Sequence, residues 1–275
     1  VAIPEIENVC VDADVLIFVI PHQFVEPLCQ RMVGKIKKSA IAVSLCKGLD
    51  HKTNKIQLLS SIIKEKLGID CAVMMGANIA SDIANEDFSE STIGCNDMRK
   101  AKILKRALQT NYFRLSISND PSAVELCGAL KNIVAVGVGF CKGLGLGAST
   151  QAAVIRLGLM EIIAFSKQFF NSNNLSPFFE SCGVADLYAT CVSGRNSKCA
   201  VALAESSKDV ETLEKEILNG QKWQGPPTAQ AVYEFLEDKK LIDRFPLFVA
   251  VHNICILKIK PVELINHLRN HPEHM

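Results

Sequence analysis

The chain has almost no net charge, no closely spaced cysteines and no long unbroken apolar run. Thirty basic residues stand against twenty-nine acidic ones, for a net charge of +1. So close a balance creates no long-range field to draw in nucleic acid or an acidic membrane, and neither partner is expected. The short basic run Lys35-Ile36-Lys37-Lys38 reads as a solvated helix face. The longest apolar runs, VLIFVI at 15–20 and IVAVGVGF at 133–140, fall far below the roughly 20 residues that cross a bilayer, so no membrane span is expected. Nothing resembling a signal peptide follows Val1, which suggests a soluble protein clipped from a longer one. Of eleven cysteines the closest pair, Cys191 and Cys199, is eight residues apart, with no CxxC anywhere. That favours reduced thiols in the cytosol, with Cys71, Cys127 and Cys255 acting as small hydrophobes. His267, His271 and His274 read as an exposed polar tail, and no metal is expected.

A hydrophobic content of 48% over 275 residues is enough for two modest domains. Up to about residue 119, apolar runs at 15–20, 40–45, 71–76 and 91–95 alternate with helix-like stretches near 23–37 and 54–67. Runs that are apolar on consecutive positions fit parallel strands buried on both faces, and strands separated by helices fit an α/β sheet. From 120 to 275 the pattern is helical. Its longest element is read at 149–170, capped by Ser149 and apolar nearly all round, as suits the centre of a domain. The expected fold is therefore a truncated Rossmann-type parallel sheet domain over 1–119, followed by an all-helical domain over 120–275.

Ligands of open parallel sheets bind at the carboxyl ends of the strands. Three such ends stand out: IPHQF at 20–24 with Phe24, SLCKG at 44–48 with Lys47, and GANIA at 76–80 with Asn78 and Ala80. A dinucleotide site also needs a glycine-rich turn between strand and helix, and none is present. GLGLG at 143–147 links two helices instead. The most telling residue is Lys131, inside the apolar helix pattern GALKNIVAV at 128–136. An ammonium withdrawn from water loses basicity and becomes able to exchange a proton near neutral pH. The alternative is that its methylene stem snorkels to the surface. Polar groups forced into turns at GVAD (183–186), SGRN (193–196) and GQKWQGPPTA (220–229) favour the chemical reading.

Taken in order, SLCKG, MGANIA, ELCGALKNIVAVGVGF, AAVIRLGLMEIIAF, ESCGVADL, SGRN, LNGQKWQGP and NHPEHM resemble the cytosolic NAD-dependent glycerol-3-phosphate dehydrogenases of animals. The resemblance implies a Rossmann-type domain, a helical substrate domain, a homodimer, a cytoplasmic location and reduction of dihydroxyacetone phosphate by NADH. It implies Lys131 as general acid/base, with Asn132 and Lys47 near the same oxygen, Asp186 holding Lys131, and Thr190 a helical turn further on. Arg195 and Asn196 would bind the substrate phosphate at a helix start, with Lys47 and Gln224 also touching substrate. Phe24, Asn78, Ala80, Arg195, Lys222 and Gln224 would meet NAD, the loop of Lys222 and Gln224 acting as a lid.

The chain departs from the family pattern in places. The expected GSGNWG-type loop is missing, which predicts weak NAD binding by the chain as it stands. Lys142 stands where an acid is usual, GASTQAA at 147–153 replaces a run containing Asp-Asn-Thr-Lys, ATCVSGRN replaces TTCYGGRN, and Trp223 replaces Leu. Two other readings remain open at this point: a non-catalytic paralogue that binds phosphate or dimerises, and another enzyme of the wider hydroxyacid dehydrogenase group. SGRN and LNGQKWQGP speak against the second.

Overall fold

A computed structural model describes residues 2–52, 55–206, 208–218 and 221–275. Gly220 of the GQKWQGPPTA motif and Asn219-Gly220 of LNGQKWQGP lie outside the described residues. A short helix α1 (Ile6–Val9) leads into strand β1 (Val15–Phe18), followed by α2 (Val25–Met32), β2 (Ile41–Ser44), a small hairpin of β3 (Asp50–Lys52) and β4 (Lys55–Gln57), and α3 (Leu59–Leu67). Next come β5 (Cys71–Met75), α4 (Ala80–Ala84), β6 (Ser89–Gly94), α5 (Met98–Leu108) and β7 (Phe113–Ser118).

The main sheet has the order β1-β2-β5-β6-β7. Helices α2 and α3 cover one face through Val25, Cys29, Met32, Leu59 and Ile63. Helix α5 covers the other through Ala101 and Leu104, so the central strands are buried on both sides as their apolar runs require. The sheet is not wholly parallel: β6 runs antiparallel to β5 and parallel to β7. Between β5 and β6 stands only the five-residue α4, too short to carry the chain back along the sheet for a parallel return.

Three helix boundaries also differ from expectation. Helix α2 stops at Met32 and Gly34 turns the chain at φ 74°, so Lys35, Lys37 and Lys38 lie beyond the helix, with Lys37 holding Asp14 at 3.0 Å. The β3–β4 hairpin occupies the start of the stretch read as helical from 54. The third difference is at α7, described below.

From Pro121 the chain is helical: α6 (Pro121–Gly143), α7 (Ala148–Phe170), α8 (Ser176–Phe179), a π-turn (Ser181–Ala185), α9 (Asp186–Ser193), α10 (Arg195–Glu205), α11 (Val210–Ile217), α12 (Gly225–Asp238), α13 (Pro246–Cys255) and α14 (Leu264–Leu268). Helix α6 begins where Asp120 accepts the Ala123 amide at 3.0 Å and Pro121 takes the first turn. The central helix is α6, not α7: every residue from Ala123 to Cys141 is buried. Both helices are long and apolar enough to cross a membrane by length and composition, but α6 is enclosed by protein throughout. Helix α7 buries one side only, starts from Gly147 and not Ser149, and follows the GLGLG connector as expected. Gly128 lets α6 lie directly on β5, since a Cβ there would meet Met75 Sδ at 2.6 Å. That contact sets Lys131, one turn further along α6, near the carboxyl end of β5.

The histidine tail is not simply exposed. His271 is 2% exposed, its Nε2 lies 3.1 Å from Glu161 of α7, and its Nδ1 accepts the Glu273 amide at 3.1 Å. Glu161 also accepts the Leu247 and Phe248 amides at the start of α13, so burial of the tail completes the coordination of a buried carboxylate. All eleven cysteines are free thiols, and all but Cys71 are buried.

Candidate active site

Lys131 is 5% exposed and does not snorkel. Its Nζ donates to Asp186 Oδ1 at short range and to Thr190 Oγ1 at 2.6 Å. Asp186 opens α9, where a negative charge suits the helix N-terminus, and Thr190 follows one turn later on the same face. The second carboxylate oxygen, Oδ2, accepts from Lys47 Nζ at 3.1 Å, so one carboxylate bridges two ammonium groups. Burial pulls the Lys131 pKa down from 10.5 to about 8; Asp186 opposes the shift and the charge of Lys47 adds to it. The arrangement is a lysine able to give or take a proton close to neutral pH, fixed in place by an acid.

Asn132 and Asn196 form a strap across three helices. Asn196 Nδ2 donates to Asn132 Oδ1 at 2.8 Å, and Asn196 Oδ1 accepts the Gly225 amide at 2.9 Å. Arg195 is the first residue of α10 after the Gly194 cap, exposed, with its guanidinium on Gln221 Oε1. Lys47, Lys131, Asn132, Thr190, Arg195 and Asn196 share a cavity of about 210 Å³ with Lys222, Trp223 and Gln224. Asp186 stands behind Lys131, outside that lining.

Two residues without a site role in the sequence shape this cavity. Glu214 of α11, 7% exposed, takes the Lys222 ammonium at 2.9 Å and the Trp223 amide at 2.9 Å, pinning the wall that carries Gln224. Nothing marks it among the charges of VETLEKEI. Trp223, a departure from the family pattern, is 1% exposed and forms part of the wall.

Not every expected residue gathers here. Phe24 is 55% exposed and Ala80 is also exposed at the start of α4, and neither lines the cavity. The Asn78 side chain is engaged with Lys47 at 3.1 Å and Ser91 at 3.0 Å. Lys142, on α6, donates to the Cys191 carbonyl at 2.6 Å and the Val192 carbonyl at 3.1 Å, bracing the end of α9 next to SGRN.

A Rossmann-like sheet with a lysine at a strand end, closed by helices bearing a second, buried lysine and a helix-start arginine, is the layout of a two-domain α/β dehydrogenase. The family model described as NAD-dependent glycerol-3-phosphate dehydrogenase N-terminus matches residues 1–101, and its C-terminus counterpart matches 120–266. The chain belongs to this NAD-dependent glycerol-3-phosphate dehydrogenase family. It is 54% identical to the cytoplasmic glycerol-3-phosphate dehydrogenase [NAD(+)] of Drosophila melanogaster, over all of this chain and 76% of that protein. With the protein of that name from Homo sapiens it shares 52% identity, over all of this chain and 79% of the relative. The glycerol-3-phosphate dehydrogenase structure from Saccharomyces cerevisiae superposes with a TM-score of 0.92 at 40% identity, covering 98% of this chain and 79% of that one. The Plasmodium falciparum structure gives 0.93 at 41%, covering 97% and 75%.

Proposed function

We propose that the chain interconverts dihydroxyacetone phosphate and sn-glycerol 3-phosphate, with NADH and NAD as hydride donor and acceptor, in the cytoplasm as its named relatives do. The observation that carries this reading is the pairing, in one cavity, of a buried lysine of pKa about 8 with an arginine at a helix start. Lys131 would protonate the carbonyl oxygen as it becomes an alkoxide. Lys47 and Asn132 would stabilise that oxygen, and Asp186 and Thr190 would hold the Lys131 ammonium on line. Arg195 and Asn196 would take the phosphate.

The residues present fit the reacting end of NAD: Lys222 and Gln224 open on the same cavity as Lys131 and would hold it there. When bound, the cofactor supplies or removes the hydride. No glycine-rich turn joins a strand to a helix among the described residues. We place the division between cofactor and substrate domains at 119/120, supported by the end of β7 at Ser118 and the start of α6 at Pro121. Relatives 52–54% identical over the whole of this chain support the dehydrogenase reading and not that of a non-catalytic module.

We also read the chain as one subunit of a homodimer. Val184, Tyr188 and Val192 recur every fourth residue and are 43%, 61% and 52% exposed, a row of apolar surface suited to a second copy. Sedimentation showing only monomer at micromolar concentration would remove that part of the reading.

The phosphate assignment is tested by Arg195→Ala, with dihydroxyacetone phosphate and unphosphorylated dihydroxyacetone compared in parallel. A guanidinium fork at a helix start clamps phosphate, and binding at that end also positions the carbonyl. The parent should strongly prefer the phosphorylated ketone. In the variant the preference should shrink, with a raised KM and little change on the bare ketone. Equal proportional losses on both substrates would mean that Arg195 does not read the phosphate.

A further inference from the structure

Lys47 is held by acceptors from two parts of the fold. Its Nζ donates to Gly76 O at 3.0 Å and Asn78 Oδ1 at 3.1 Å, just past β5, and to Asp186 Oδ2 at 3.1 Å, at the head of α9. The other end of the Asn78 amide donates to Ser91 Oγ at 3.0 Å. Ser91 lies in β6, is fully buried, and does not line the cavity that holds Lys131. An amide has two unlike ends, one an acceptor and one a double donor. Turned over, it would set an NH₂ group against the Lys47 ammonium, donor facing donor.

We propose that Ser91 is a positioning residue for the reaction: by accepting from Asn78 Nδ2 it anchors that amide with its oxygen toward Lys47, and so holds Lys47 between Asn78 and Asp186. The proposal rests on Lys47 serving the carbonyl oxygen in the reading above. The surroundings make Ser91 more than a packed side chain. The loop after β5 lies so tightly on β6 that a Cβ on Gly76 would meet Glu90 O at 2.6 Å and Ser91 Oγ at 2.7 Å, which brings Asn78 within reach of the hydroxyl. The same stretch of β6 registers the other side-chain acceptor of Lys47. Ser181 Oγ donates to Glu90 O at 2.7 Å and accepts the Ala77 amide at 3.3 Å, while Thr92 Oγ1 accepts the Cys182 amide at 3.3 Å. Ser181 and Cys182 begin the π-turn that runs directly into Asp186. Residues 90–92 thus set Asn78 through Ser91, and the approach to Asp186 through Thr92 and the Glu90 carbonyl, so that both meet on one ammonium.

The test is a double-mutant cycle of Ser91→Ala and Asn78→Ala, because without the amide Ser91 has nothing to anchor. Two quantities are read in the four proteins: kcat for reduction of dihydroxyacetone phosphate, and the rate at which an amine-selective reagent labels Lys47, located by peptide mass. With Asn at 78, Ser91→Ala should lower kcat about fivefold and raise Lys47 labelling by a similar factor, the scale of one lost hydrogen bond. With Ala at 78, the same change should alter either quantity less than about twofold, the difference being the coupling between the two sites. Equal effects in both backgrounds would reduce Ser91 to packing and overturn the proposal. Coupled labelling without turnover in any of the proteins would uphold it while overturning the catalytic reading on which it rests. If Ser91→Ala does not fold, Ser91→Cys, of similar shape but a weak acceptor, is read in the same way.

Discussion

Lys131→Ala is expected to lower kcat by roughly two or more powers of ten, the range over which a positioned acid or base accelerates proton transfer. Alanine removes a group that lines the cavity and whose pKa, about 8, suits it to exchanging a proton near neutral pH. Lys47 remains in the same cavity and could stabilise the alkoxide, but it is committed to Gly76, Asn78 and Asp186. KM for dihydroxyacetone phosphate should change much less, because Arg195 and Asn196 are untouched. Helix α6 should tolerate the substitution, alanine being the best helix former and Lys131 lying in mid-helix. Steady-state kinetics on protein verified as folded decides the matter, and a near-normal kcat would return Lys131 to a structural part.

Asp186→Asn should be as damaging, and to the fold as well. The carboxylate is shared by Lys131 and Lys47, and asparagine keeps its shape while removing its charge. Lys131 is then a buried ammonium beside another ammonium, and removing one partner of a buried pair costs about 3–5 kcal/mol. Its pKa, already depressed by burial and by Lys47, should fall further. A lysine whose folded pKa lies below its unfolded value destabilises the fold most in acid, where it is charged in both states. The penalty eases as pH rises through the folded pKa toward the unfolded one. The stability gap between variant and parent should therefore be widest at low pH and narrow above about pH 8, where Lys131 is neutral in the parent too. Denaturant melts across that range measure it; a gap of constant size would place the role of Asp186 elsewhere.

The buried pair Lys131 and Asn132 was legible in the sequence because burial leaves a mark on it. A lysine and an asparagine set among Gly, Ala, Leu, Ile and Val cannot be explained by a solvated helix face. The α/β opening and the helical remainder were legible for a similar reason, since strands buried on both faces have to be apolar on consecutive residues. What escaped was whatever depends on a partner distant in sequence. Glu214 resembles any other acid in VETLEKEI until Lys222 and Trp223 come down on it. Glu125 lies between Val124 and Leu126 yet is fully buried, capping the start of α3 through the Ser60 amide at 3.1 Å, with burial raising its pKa to about 7. Ser91 and Thr92 were read as part of a strand, although two hydroxyls in a strand buried on both faces were a signal available in STIGC. The reversal at β6 turned on the length of one short helix, and the burial of His271 on a glutamate 110 residues away. Neither leaves a local pattern.

The central claim is that Lys131 carries the proton, and the most direct measurement is the pH dependence of kcat/KM in both directions. Reduction of the ketone needs Lys131 protonated, so its rate should be level at lower pH and fall above about 8. Oxidation of the alcohol needs it neutral, so that rate should climb through the same region. Opposite bends at one shared pH, both absent in Lys131→Ala, are the predicted result. Profiles that bend the same way in both directions, or an unchanged bend in the variant, would contradict it.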